Sequence, residues 1–547
     1  MMRITNAMMT SNTKNNINLN KLNEDRLNTQ IATGQVISRP SEDPVVAIRA
    51  LRLNTNLSQL TQYYKKNIPD AQAWLNVTET ALKQTDQIFT NIKENLTAGA
   101  SDQHTATDRQ KILESLKGLR SELYASGNAD YAERTVFTDY RTQKSLTFLD
   151  TDLELAKDSK YKYQIYETFD TTKALDTLTY VSTYKTPTSG NVDETTVTQT
   201  ELSRIRLAYD DIDANDGDEL QFEYFTGKNA AGEAQFSTIP LKVKSITGKT
   251  QEAIDKIYLE EVPDDEGILI PETGEIILGK TAAENIRSGA AQPGADEEAS
   301  RAHFLTADGK NKTGYEKSRW SSGDLRPEHY FACTETNMGV NPAKTEYYNF
   351  GQKEDPATHQ MVTDITNPDF KNRDMEIEVS FNQKITINTH ANEVYTHDIG
   401  RDIDELINVT QAVVDADEKV TALEKKLSAA ADADKPAIQA ELDAANKEYS
   451  LKKNRMQKSF STALDTFTAY ADRNNIAIAN IGSMQQRLSV TKERVADQLQ
   501  SFKELADANI NAELTESSID FSNAKLALEA AQLAAGKIAQ QTLLNYL

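Results

Sequence analysis

The sequence predicts a mainly α protein with an inserted β-rich domain, in which the N- and C-terminal segments form a long coiled-coil helical bundle. Three observations lead there. Of 22 glycines, 16 lie within 151–400, as do 9 of the 13 prolines, so helix breakers gather in the middle. Leu406, Val413, Val420 and Leu427 recur every seven residues, and Val409, Ala416, Leu423 and Ala430 follow each by three, the a/d pattern of a coiled-coil seam. Between about 160 and 387, short runs such as Glu219-Leu-Gln-Phe-Glu-Tyr224 alternate polar with apolar residues, as half-buried strands do.

The elements follow in order. Residues 4–33 read as a helix, with Ile4, Met8, Ile17, Leu22, Leu27 and Ile31 loosely on one face. The Asn- and Thr-rich stretch from Asn12 to Asn28 makes it marginal alone, so it orders on association. Gly34 stops it. Pro40 and Pro44 interrupt helix; Ser41 or Asp43 supplies the next N-cap, and Pro44 suits a first turn. A long helix then covers 45–97, with a kink expected at Pro69, and a shorter one covers 108–125. Strands are expected at 160–166, 204–208, 219–224, 239–243, 375–379 and 384–387, with a loop-rich stretch at 280–372. Helix returns near 398, turns at 432–436, and runs back to about 510. In the last helix, 514–547, Ile519, Leu526 and Leu533 hold one heptad position and Leu514, Phe521, Leu528 and Ala535 another, giving a wide apolar face. The expected parts are a terminal coiled-coil domain (1–44 with 505–547), a helical bundle domain (45–150 with 395–504, its hairpin near 400–456) and an outer β-rich domain (151–394).

Composition removes several function classes. A net charge of −23 opposes nucleic acid and anionic membranes as partners. Residues 1–60 are net +3 and 501–547 net −3, which favours pairing of the ends weakly. One cysteine, Cys333, excludes a disulfide framework and any Cys-based zinc site. Met1–Asn20 lacks the apolar core of a secretory signal, and no run approaches the ~20 apolar residues of a membrane span. None of the common hydrolase, zincin, P-loop or dinucleotide motifs occurs, so no enzyme, cofactor or metal is expected. Asp211, Asp213 and Asn215 have the 1-3-5 spacing of a calcium loop, but Gly217 is one place late and Phe222 stands where a carboxylate is needed, so the segment reads as a polar turn.

The N-terminal pattern is Leu27-x3-Ile31-Ala-Thr-Gly34 followed by Ile37-Ser-Arg-Pro-Ser-Glu-Asp-Pro44, whose turn residues are Arg39, Pro40, Ser41, Asp43 and Pro44. This pattern resembles that of the flagellin family. Met2-Arg-Ile-Thr-Asn6 and, in the second helix, Asn67, Asp70, Glu79 and Leu82 fit the same family. The C-terminal run Ala530-Ala-Gln-Leu-Ala-Ala-Gly-Lys-Ile538, then Leu543-Leu-Asn-Tyr-Leu547, is similar to the family's end. One departure stands out: Ala132-Glu-Arg134 occupies a place where the family carries a glycine. The resemblance implies a structural subunit of the bacterial flagellum at the hook–filament junction. It implies a homo-oligomeric ring beside an adjoining hook-associated protein and flagellin, an extracellular location, export by the flagellar type III apparatus without a cleaved signal peptide, and a cytosolic export chaperone. Assembly would run through Ile4, Met8, Leu22, Leu27, Ile31, Ile519, Leu526, Leu533 and Leu544.

Overall fold

The computed structural model describes the chain apart from residues 1–5, 102–104, 156–160, 168, 171–174, 187–195, 233, 260–261, 292–300, 306–312, 338–344, 349–351, 355–360, 364–373 and 545–547. Its helices are α1 (Asn6–Thr33), α2 (Pro44–Gln62), α3 (Ile68–Gly99), α4 (Ala106–Ser126), α5 (Asp150–Leu155), α6 (Gln251–Leu259), α7 (Lys280–Ala290), α8 (Ala391–Val394), α9 (His397–Ala429), α10 (Lys435–Ile510) and α11 (Leu514–Leu544). The expected mainly α architecture with a β-rich insertion is what the chain adopts. Contacts divide it into two compact units: Met1–Gln72 with Glu376–Ile385 and Met484–Leu547, and Ala73–Met375 with Thr386–Ser483.

The first unit is helical. Asp43, not Ser41, caps α2: its Oδ1 accepts from Val45 N at 2.9 Å and Val46 N at 3.1 Å, with Pro44 beside it. The expected irregularity at Pro69 takes the form of a π turn, Tyr63–Asn67, just before it. Ile68 N–H reaches back five residues to Tyr63 O, a wider register next to a residue that has no N–H to donate. The hairpin of Glu376–Ser380 and Gln383–Thr386 packs here, with Asn67 Nδ2 bonded to Glu378 O at 2.7 Å and the Phe381 ring edge-on to Tyr63 at 5.8 Å.

The second unit joins helices to the β-rich part. Leu406, Val409, Val413, Ala416 and Leu423 of the heptad are buried. The hairpin turns between Ala429 and Lys435, and Pro436 stands in the first turn of α10, where its missing N–H costs no helical bond. Phe89 packs against Phe467, and buried Asn474 donates to Leu82 O at 2.9 Å. The strands are β1 (Asp130–Tyr131), β2 (Arg134–Thr135), β3 (Tyr161–Tyr166), β4 (Phe169–Asp170), β5 (Leu175–Val181), β6 (Gln199–Arg206), β7 (Glu219–Lys228), β8 (Ala234–Val243), β9 (Gly267–Ile270), β10 (Glu275–Leu278), β11 (Arg301–Leu305), β12 (Ala332–Asn337) and β13 (Thr345–Tyr348). Eight of them form one sheet in the order β4-β11-β7-β8-β9-β10-β6-β5, antiparallel except for β8 with β9. One core draws on strands across it through Phe169, Phe304, Phe222, Ile239, Ile276 and Ile205.

Three features depart from expectation. The hairpin β9–β10 carried no alternation because every one of its residues is buried. The helix α7 lies in the stretch expected to be loop-rich; Gly289 lets it approach β7 so closely that a Cβ there would stand 1.9 Å from Phe225 O. At the site of the missing family glycine, Ala132 and Glu133 adopt φ of 51° and 63° between β1 and β2. The left-handed turn is therefore kept without the residue that best tolerates it.

Candidate assembly interface

The terminal helices pair within the first unit, and their register can be read from four contacts. Val36 N donates to Ile510 O at 2.8 Å and Ala512 N to Gly34 O at 2.9 Å, around a bridge between Gln35 and Asn511. Further along, Asn20 Nδ2 donates to Ala527 O at 3.4 Å. As positions fall on α1 they rise on α11, so the two helices run antiparallel.

Their shared seam is a heptad. On α1 the less exposed positions include Thr13, Ile17, Asn20, Glu24, Leu27 and Ile31, with Thr29 and Gln30 added near its end; on α11 they are Ser517, Phe521, Ala524, Leu528, Ala531 and Ala535. Apart from Thr29 and Gln30, both sets step by four and three, as a and d positions do. Polar residues and alanines dominate this seam, which makes it a weak one.

The residues singled out from sequence divide around it. Leu27, 5% exposed, and half-buried Ile31 lie in the seam. Met8, Leu22, Ile519, Leu526 and Leu533 do not: they occupy the f positions, nearly opposite it at 100° per residue. All five are exposed, Leu526 at 64% and Leu533 at 71%. Ile4 and the Leu544 side chain lie outside the described residues. Sequence periodicity found the stripes and did not say which would pair within one chain. Ile48 and Leu51 on α2, read from sequence as part of that helix's apolar stripe, are exposed together with Val45 at three-residue spacing, a further outward apolar face.

The turn before α2 is rigidified locally. Ser38 donates to Glu42 from its N–H at 2.9 Å and its hydroxyl at 2.8 Å, and the N–H foremost holds the Glu42 carboxyl below the usual range. Arg39, Pro40 and Ser41 are exposed, while Asp43 works as the cap.

Other chemistry is spoken for by structure. In the acidic turn, Lys317 bonds Asp210, Lys249 reaches Asp216 at 3.4 Å, and Asp218 Oδ2 accepts from Asn215 N at 2.9 Å. Among the described residues no group of His, Cys, Asp and Glu could hold a metal, and no helix is long and apolar enough to cross a membrane.

With this geometry in place, comparison with known proteins assigns the N-terminal part. Residues 4–142 match the model of the bacterial flagellin N-terminal helical region. This segment is similar to that region of the flagellins. Flagellar hook-associated protein 3 of Salmonella typhimurium is 26% identical over 143 residues, 26% of this chain and 45% of that protein. A flagellin of Clostridium tyrobutyricum is 25% identical over 164 residues, 30% of this chain and 41% of that one. The chain thus spans less than half the length of the curated relatives it matches. Among solved structures, a putative flagellar hook-associated protein from Vibrio parahaemolyticus aligns over 86% of this chain and 100% of its own, at 11% identity and a TM-score of 0.32. The matched region, residues 4–142, includes α1, the capped turn, α2, α3 and α4.

Proposed function

We propose that this chain is a structural subunit of the bacterial flagellum that forms the junction between hook and filament, assembling through its terminal helices and performing no catalysis. The observation that carries this reading is the apolar f face of the α1–α11 pair, Met8, Leu22, Ile519, Leu526 and Leu533, left in solvent by a weak intramolecular seam. Large exposed apolar stripes mark interaction surfaces, and a marginal pair gains most from neighbours. The similarity to a hook-associated protein supports a flagellar setting for the surface.

In this reading the terminal segments 1–44 and 505–547 make the inner layer of a homo-oligomeric ring, 45–150 with 395–504 a surrounding bundle, and 151–394 the outward domain. Its neighbours are an adjoining hook-associated protein and flagellin. The subunit leaves the cell through the flagellar type III apparatus and acts outside it, and a cytosolic chaperone covers the C-terminal helix beforehand. A second reading, a flagellin-like filament subunit, is favoured by the flagellin relative alone. A clean deletion in the source strain separates them by electron microscopy and by flagellin in the medium. Bare hooks with shed flagellin are expected; persisting filaments, or their loss without shed flagellin, would overturn the junction role.

A further inference from the structure

The eight-stranded sheet ends in β5, which among the described residues pairs only with β6. Backbone groups alternate in direction along a strand. Thr177 N–H is turned away from β6, since it takes the Asp176 side chain as acceptor at 2.6 Å, so Leu175, Thr177 and Thr179 aim their backbone groups outward. Residues Leu175–Thr179 together line a cavity of about 830 Å³. That is about 17 Å of strand. The facing wall is a row of short side chains on α10, Ser459, Thr462, Ala463 and Thr466. Phe169, Phe331 and Leu406 add apolar surface.

The charges of the cavity do not balance. Arg204 meets Asp176, Glu275 and Glu405; Arg455 meets Glu405 at 2.9 Å; Arg206 meets Asp402; Lys458 meets Glu201 at 3.2 Å. Every cation on the wall thus has a carboxylate. His397 is neutral, because burial foremost lowers it to about 3. Among the described residues, Asp398 on the wall has no cation within 4 Å, whereas Glu167 accepts from Tyr315 and from Ala208 N at 3.1 Å and is raised to about 7, foremost by burial. Arg206, already bonded to Asp402, and Arg473, which sits over the Tyr470 ring at 4.9 Å, act on Asp398 only through space.

We propose that this groove takes an extended basic peptide of a partner protein, which adds as a strand to the edge of β5 that is unpaired among the described residues and sets a lysine or arginine side chain against Asp398. Main-chain bonds to Leu175, Thr177 and Thr179 would supply affinity, alternate side chains would supply specificity, and the Asp176 carboxylate would swing off the Thr177 N–H as the strand arrives. The inference does not depend on the flagellar role.

Fluorescence anisotropy of the full chain tests it with a labelled heptapeptide of alternating lysine and valine. Saturable binding is expected, with at least tenfold weaker binding by the glutamate–valine counterpart. Thr177→Pro removes the outward donor at an edge that tolerates proline and should weaken binding at least tenfold with unchanged circular dichroism. If that variant misfolds, the same peptide N-methylated along one edge, offered to the unaltered chain, must lose at least tenfold. Asp398→Asn should cost about threefold to tenfold. Absence of saturation, or equal affinity for the N-methylated peptide, would overturn strand addition; equal affinity for the acidic peptide would overturn the charge assignment.

Discussion

The two compact units spend their apolar residues in opposite ways. The first is about a quarter of the chain and carries 16 Lys/Arg against 15 Asp/Glu; the second carries 44 against 68 and holds essentially all the net negative charge. Yet among the described residues 13 of the 17 large hydrophobic side chains left exposed belong to the first unit, including Met8, Leu22, Val45, Leu51, Leu526 and Leu533. The second unit buries its own in ring clusters and bonds its charges to one another, as around Arg204. A near-neutral unit with outward leucines is built to be covered, whereas an acidic unit with a closed core resists self-association.

Four changes would break or sharpen that contrast. The largest effect should come from Leu526→Asp with Leu533→Asp. Both lie at f positions, so the purified chain should keep its helical circular dichroism while incorporation into flagella is lost; normal incorporation would sink the interface assignment. In the second unit, Glu405→Ala leaves Arg204 and Arg455 short of a partner. Burial alone would raise the Glu405 carboxyl, but the two guanidiniums hold it down at about 2. Breaking such a pair costs about 3 kcal/mol or more, read as a fall in thermal midpoint that the first unit's helices need not share. That carboxylate's contribution is present above the ordinary carboxylate pKa and fades as pH falls toward 2.

Glu167→Gln acts in the other direction. Burial, partly offset by the Tyr315 and Ala208 donors, raises Glu167 to about 7. The folded chain then holds a proton that the unfolded chain gives up near 4.5, so stability declines as pH rises from there through 7. The amide should raise the thermal midpoint at pH 8 and change it little at pH 5; an equal shift at both would contradict the protonation account. The smallest effect should be Glu133→Gly, which relieves a left-handed residue and is expected to stabilise by about 1 kcal/mol in urea titration.

Much of this was legible in the sequence, for reasons that differ by element. The heptad from Leu406 to Leu427 and the cap at Asp43 are local signals, and local chemistry decides them. The strand β9 and the helix α7 were not legible, because total burial erases alternation and a glycine-mediated approach to Phe225 leaves no periodic trace. At the interface, periodicity exposed two apolar stripes on α11 but could not rank them. Phe521 and Leu528 won the internal seam because they face the α1 heptad in antiparallel register, and that register is fixed by the bridge at Gln35 and Asn511, which joins positions 476 residues apart in the chain and leaves no trace in either stripe.

That bridge ties the fates of the two ends together. Position n on one side lies opposite 546 minus n on the other, to within one residue. A protease that clips before Asn20 would therefore uncover α11 beyond Ala527, and a cut at Ala527 would bare the first half of α1. Either nick would make the other terminus the next to be digested.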